Sequence, residues 1–358
     1  MDRQTIQIPT KAAEITPEWL NSVLAEFGFP KVEEVEVTPV DKGYYGSLAR
    51  LGVFYQQLDS TEPEPPKTFF VKFTVEDPET REALKPLGIN KREVNFYSKL
   101  AEKIPFKTPR CFACHFDEES HDSLILLEYV EGEVSDDVTG ASYEQAKLAI
   151  SEAARLHGAM QGHELLNEPW VESIGGPIIG ELVEATRIAV PKGVDHLREV
   201  CPSWMLEYSS RAHEILGEQL KELNSLPDTL IHMDYRLANM IFTGDAVTHI
   251  DWHSVHRGPG ICDIGFFSSI SLTVPDRRAW EKELFLHYLR IAHDWKDSEW
   301  PEWFETAWRR FSLVMVFNCI RNAAVLDLSD SATKAFMFAW VERAAAIVED
   351  HNALRLLN

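Results

Sequence analysis

A chain of 358 residues is long enough to bury a large core and to form two lobes. With 45% apolar and 11% aromatic residues its composition is that of a globular protein, not a disordered one. The formal net charge of −22, from 35 basic and 57 acidic side chains, argues against nucleic acid as a partner, because phosphate backbones are held by basic patches.

The start, MDRQTIQIPTKAAEITPEWL, lacks the basic end and apolar stretch of a signal peptide. No run of about 18 apolar residues marks a membrane span. A cytoplasmic location is expected, with no membrane partner and no evident protein partner. Residues 17–28, PEWLNSVLAEFG, predict a short helix with Trp19, Val23 and Phe27 at helical spacing. VEEVEVTPV, SLARLGVFYQQL and KTFFVKFTV then predict three strands of an antiparallel meander, joined by DKGYYGS and by the acidic, Pro-rich DSTEPEPP. A charged helix, KREVNFYSKLAEKI, precedes two further strands, CFACHF and SLILLEYV.

From about residue 141 the pattern turns helical. In SYEQAKLAISEAARLHGAM, Ala146, Ala149, Ile150, Ala153 and His157 form one stripe. SWMLEYSSRAHEILGEQLKEL predicts another helix, with residues 165–202, rich in Gly, Pro and Val, as the connector between them. LIHMDYRLANMIF leads into a strand-like stretch ending at AVTHIDW, and three long helices close the chain. The expected organisation is a strand-rich N-terminal lobe over residues 1–130 and a larger helical C-terminal lobe over 131–358.

CFACH at 111–115 matches the pattern for covalent haem attachment, and CFAC alone could be a redox pair or half of a zinc site. Without an export signal or a second Cys pair, strand packing is the plainer reading. Five cysteines, an odd number, suit reduced thiols.

Four pieces carry chemistry. The glycines of DKGYYGS, Gly43 and Gly46, allow backbone amides to approach phosphates; a plain hairpin turn is the alternative. Lys72 lies in the apolar run FFVKFTV, where an amine is costly unless paired or turned outward. Glu93, on the charged helix, could fix Lys72 for gripping phosphates, or could lie on a solvated face. Finally, His232, Asp234, Asn239 and Asp251 follow one another at the ends of short apolar segments. Phosphoryl transfer to a hydroxyl needs one carboxylate to accept the hydroxyl proton and oxygen ligands to hold Mg²⁺ against the phosphates. The intervening MIFTGDAVTHI has the length of a hairpin that would bring Asn239 and Asp251 together.

The order LIHMDYRLANMIF…VTHIDWHSVHRGPGICDIGFF resembles the aminoglycoside phosphotransferase and choline-kinase-like superfamily, nearest its ecdysteroid-kinase-like branch of small-molecule kinases. The resemblance is strongest over residues 225–270 and thinner over 165–224 and after 280. It implies an α+β, protein-kinase-like bilobal fold, with a small antiparallel-sheet, nucleotide-binding lobe over 1–130 and a larger helical lobe over 131–358 that carries the catalytic loop and substrate pocket. It also implies transfer of the γ-phosphate of ATP, with Mg²⁺, to a hydroxyl of a small molecule. Asp234 would be the base, His232 would brace its loop, and Asn239 and Asp251 would hold Mg²⁺. Lys72 and Glu93 would serve the phosphates, with Gly43, Gly46 and Ser47 over the nucleotide and the backbone from Glu128 to Val130 at the adenine. Asp263 would be a structural anchor. Independently of the resemblance, the position of Arg236, two residues past the base, would let it face phosphate or an acidic substrate. One departure is Met233, where the family signature has Gly.

Two other functions fit parts of the sequence. His249, Asp251, His253 and His256, with His232 and Asp234, could hold the metal of a hydrolase, and 249, 251 and 253 would share one face of a strand. A non-catalytic nucleotide-binding protein of the same fold is the other. A protein kinase fits poorly, since neither Asp-Phe-Gly nor Ala-Pro-Glu is present.

Overall fold

The computed structural model describes residues 8–40, 46–56 and 64–357. The chain forms two compact units. One comprises the chain up to Lys103, with Lys107–Glu131 and Ile250–His253; the other comprises Ile104–Phe106, Gly132–His249 and Ser254 onward.

The first unit begins with helix α1 (Pro17–Leu24), capped by the Thr16 hydroxyl, which accepts from the Trp19 N–H at 3.2 Å. The strands are β1 (Val32–Val40), β2 (Gly46–Tyr55), β3 (Thr68–Thr74), β4 (Cys111–Phe116) and β5 (Ser123–Glu128). Between β3 and β4 lie helices α2 (Pro78–Leu84) and α3 (Ile89–Lys99). The sheet runs β1-β2-β3-β5-β4, antiparallel throughout, so the predicted meander is present. Trp19, Leu20 and Leu24 of α1 bury against Leu51, Val53, Phe69, Val71 and Phe112 of the sheet. The alternation of strand side chains sends one set into this core and the other set away from it, and Lys72 belongs to the latter. The segment 250–253 is fastened to α3 by Trp252, stacked on Phe96 at 4.1 Å. It is also held by the Arg92 guanidinium, which donates to the His253 carbonyl at 3.1 Å.

The second unit holds α4 (Tyr143–Met160), α5 (Ile178–Leu197), α6 (Ser203–Tyr208) and α7 (Ala212–Leu223). Strands β6 (Thr229–Ile231), β7 (Met240–Thr243), β8 (Ala246–His249) and β9 (His256–Gly258) follow. Helices α8 (Ile261–Ile270), α9 (Val274–His293), α10 (Glu302–Ala323) and α11 (Ser331–Asp350) complete it. A capping box between Ser142 and Gln145 starts α4 where the pattern changes from strand to helix. β7 and β8 form a hairpin with Met240 opposite His249. Among the described residues no helix is long and apolar enough to cross a membrane.

Two sequence expectations are corrected. The connector 165–202 contains a 20-residue helix, α5, which runs through Pro191 and packs on α10. Its glycine is part of the packing: a Cβ at Gly193 would lie 1.9 Å from the Ile320 carbonyl oxygen, so only glycine lets the two backbones approach. Conversely, 203–223 is not one helix. A 3₁₀ turn at Ser209–Arg211 separates α6 from α7.

Candidate active site

In the first unit, Lys72 sits opposite Leu48 of β2 and Ile125 of β5. Its ammonium lies 2.7 Å from Glu93 on α3 and also pairs with Asp251 Oδ1. Burial pulls the ammonium down, but Asp251 and Glu93 outweigh it, and Lys72 sits above its ordinary value. Asp251 is likewise opposed by burial, yet His253 and Lys72 hold it well below the ordinary carboxylate range. His253 Nδ1 lies 3.0 Å from the same Oδ1, so both contacts fall on one oxygen. Asp251 has φ +66°, a left-handed turn that ends the extended run of β8.

Gly46 and Ser47 are strand residues, opposite Thr74 and Phe73. A Cβ at Gly46 would lie 2.5 Å from the Phe73 carbonyl, so the position requires glycine for packing. Gly43, with Tyr44 and Tyr45, lies outside the described residues. At the end of β5 the Glu128 N–H donates to the Arg110 carbonyl at 2.8 Å, and Val130 follows outside the strand.

In the second unit, the loop after β6 carries His232, Asp234, Arg236 and Asn239. Asp263, fully buried in the first turn of α8, accepts the N–H groups of His232 and Met233, one on each oxygen, both at 2.8 Å. His157 Nε2 lies 3.2 Å from Asp263 Oδ2, and its Nδ1 is 2.9 Å from the Tyr288 hydroxyl. Met233 has φ +62°. The usual Gly adopts that region freely, whereas a side chain there costs about 1–2 kcal/mol. Asp263, accepting the Met233 N–H, holds the loop in this left-handed turn.

The Asp234 N–H donates to His232 Nδ1 at 3.3 Å. Asp234 Oδ2 accepts from Asn239 Nδ2 at 2.8 Å, and the same amide donates to the Asp234 carbonyl at 2.9 Å. Asn239 thereby turns its N–H₂ toward Asp234, leaving its carbonyl oxygen as the lone-pair donor. Arg236 Nε donates to Asp234 Oδ1 at 3.2 Å, while its Nη1 pairs with Asp137 at 2.8 Å. Burial pushes the Asp137 carboxyl up, against Arg236 and the Ser271 hydroxyl that donates to it. Ser271 Oγ also accepts the Leu237 N–H at 3.0 Å. Sequence reading missed Asp137 and Ser271, because nothing local in SDDVTG or SISL marks them.

The histidine-rich segment does not form the shared strand face expected of a hydrolase metal site. β8 ends at His249, Asp251 turns left-handed, and Trp252–Ser254 is a 3₁₀ turn. His249 is buried between the rings of Phe106, 3.8 Å away, and Tyr235, 5.3 Å away. Burial and the nearby His232 hold His249 well below its ordinary 6.5, so it is neutral in the folded protein. The unfolded chain protonates first as pH falls, so the stability this group contributes is full above 6.5 and drains below it. One proton gives a slope of about 1.4 kcal/mol per pH unit. His249→Phe keeps a flat ring in the stack and removes this proton. Denaturant titrations between about pH 6.5 and 5 are expected to show a shallower loss of stability than wild type; equal slopes would place the sensitivity elsewhere.

The phosphotransferase enzyme family (APH) profile matches residues 64–303, about two thirds of the chain, and the chain belongs to that family. No curated protein sequence matches it significantly. Among solved structures, a Ralstonia eutropha protein provisionally named an aminoglycoside phosphotransferase superposes with a TM-score of 0.60 at 17% identity, covering 94% of this chain and 98% of that one. Choline kinase from Cryptosporidium parvum gives 0.57 at 12% identity, with 90% and 92% covered. A microcompartment-associated aminopropanol kinase gives 0.52 at 15% identity, with 94% and 98% covered. At these identities the likeness is one of fold: α+β and bilobal, with an antiparallel-sheet lobe and a helical lobe, as the sequence led one to expect.

Proposed function

We propose that this phosphotransferase is an ATP-dependent kinase of a hydroxylated small molecule. The observation that carries the reading is the Lys72 ammonium, lodged among apolar strand residues and shared by Glu93 and Asp251. A cation so fixed and kept charged is suited to phosphate oxygens. Gly46 and Ser47 would line the nucleotide, with the backbone from Glu128 to Val130 at its base. Gly43 is proposed from sequence alone.

The oxygen donors fit Mg²⁺, a hard cation: Asn239 offers its carbonyl, and the Lys72 and His253 contacts of Asp251 fall on Oδ1, sparing Oδ2. Bound there, Mg²⁺ would neutralise charge on the phosphates. Asp234 orients the acceptor hydroxyl and takes its proton as that oxygen bonds to the γ-phosphorus and the bond to the β–γ bridging oxygen breaks. Asn239 and Arg236 hold the Asp234 carboxylate from its two oxygens. With Arg236 engaged by Asp234 and Asp137, its part is to orient the base rather than to grip an acidic acceptor. The motif's likeness to the ecdysteroid-kinase-like branch supports an apolar alcohol, such as a steroid- or acyl-like one, as the acceptor class, with an aminoglycoside next.

Calorimetric titration of ATP, and of GTP, with and without Mg²⁺ tests the reading. Wild type is expected to bind ATP saturably only with the metal, and Asp251→Ala to lose at least tenfold in affinity. No binding in any condition would overturn it.

A further inference from the structure

The CFAC stretch has no part in the proposed reaction, and its geometry is unusual. On a regular strand, residues three apart point to opposite faces and lie about 10 Å apart. Here β4 carries a bulge: Cys111 faces Leu127, Ala113 faces Leu126, and Cys114 faces Ile125. Three residues of β4 therefore advance by only two of β5, with Phe112 as the extra residue. Cys111 and Cys114 then fall on the same face, at the about 6.6 Å spacing of residues two apart. That is the upper edge of the Cα separation a disulfide spans, about 4.4–6.8 Å. Phe112 turns the other way, into the core against Phe27 and Phe69.

The two thiols influence one another electrostatically. Cys111 can direct its hydrogen at the Cys114 sulfur or at the Ala113 carbonyl, 3.4 Å away. The Cys111 hydrogen bond, with the Ser98 hydroxyl of α3, holds Cys114 below the ordinary thiol value. The same bond, with burial, pushes Cys111 up. Cys201, Cys262 and Cys319 are pushed up by burial, so of the five cysteines, all among the described residues, only Cys114 is lowered. Both Cys111 and Cys114 are partly exposed. No third His, Cys, Asp or Glu joins them in a metal-holding group among the described residues, which disfavours zinc.

We propose that Cys111 and Cys114 are a modification site: a dithiol that a hydroperoxide oxidises to an intrachain disulfide across the β4 bulge. The Cys114 thiolate attacks one oxygen of hydrogen peroxide, an S–O bond forms, the O–O bond breaks, and the hydroxide that leaves takes a proton from solvent to become water, giving a sulfenic acid. The Cys111 sulfur then attacks the Cys114 sulfur, the S–S bond forms, the S–O bond breaks, and its proton departs with a second water. The peroxide gains the two electrons that the thiols lose. This site stands apart from the reading of the reaction, and either can fail alone.

Trypsin releases both residues in one peptide, 111–147, which holds no other cysteine. The folded protein is treated with dilute hydrogen peroxide and the peptide is weighed. Wild type is expected to lose two hydrogens from it, with dithiothreitol restoring them. Cys111→Ser is expected to stop at a sulfenic acid on Cys114 that dimedone traps. Cys114→Ser is expected to react at least tenfold more slowly. A wild-type peptide of unchanged mass, a disulfide between chains, or equal rates in wild type and Cys114→Ser would each overturn the proposal.

Discussion

Asp234→Asn is expected to lower turnover by about 10²–10⁴-fold, the range that a positioned general base supplies, while Mg-ATP affinity stays within about twofold of wild type. The amide cannot accept the acceptor hydroxyl's proton. It also disturbs its own neighbours: in the native loop both carboxylate oxygens accept, from Arg236 at 3.2 Å and Asn239 at 2.8 Å, and an NH₂ would confront one of these donors. The asparagine keeps one bond and loses the other, so the loop weakens without being emptied, at a cost of about 1–3 kcal/mol. Steady-state kinetics with any accepted alcohol, beside calorimetric ATP binding, separates the outcomes. Loss of turnover with intact nucleotide binding supports the base. Retained turnover would remove Asp234 from the reaction, and loss of both would mean that the loop had collapsed.

How much of this was legible in the sequence follows from what leaves a periodic trace. β1 and β4 were read with the limits the structure gives them, because alternation and flanking turns mark a half-buried strand. An amine in an apolar run and an acid on a charged helix left the pairing of Lys72 with Glu93 as one of two readings, the family resemblance favoured it, and the structure joins them. α8 was not read as a helix. Ile261, Cys262, Ile264, Phe266, Phe267 and Ile270 are buried all round it, and a helix with no wet face has no amphipathic period. α5 was hidden by Pro191 and Gly193, local breakers that packing against α10 overrides. Asp137 left no trace because its partner Arg236 lies 99 residues away, and only the fold brings them together. Gly46 was read as a phosphate-approach glycine, and the structure supplies a packing reason for it as well.

Asp263→Ala, a change in α8 that reaches the loop 232–239, is expected to destabilise the protein by about 3–5 kcal/mol. The carboxylate is fully buried and sits in the first turn of α8, where the helix N-terminus favours negative charge. Alanine would strand the buried N–H of His232, costing about 1–3 kcal/mol to leave unmade, and the part-buried N–H of Met233. It would also take from His157 the partner that, with Tyr288, fixes its ring. A domain's total stability is about 5–15 kcal/mol, so this loss takes a large part of it. The second consequence concerns geometry. Met233 is held at φ +62° only against a preference of about 1–2 kcal/mol, and the Asp263 bond to its N–H supplies that hold. Without it the residue relaxes to negative φ, and Asp234, next in the chain, swings from its place. Asp263→Asn, which keeps one acceptor oxygen, is expected to lose less stability than alanine, yet to fall in turnover by more than the folded fraction accounts for. Urea denaturation read beside specific activity per folded molecule decides it. Stability within about 1 kcal/mol of wild type in the alanine variant would show that water takes over both donors and that Asp263 does not anchor the loop.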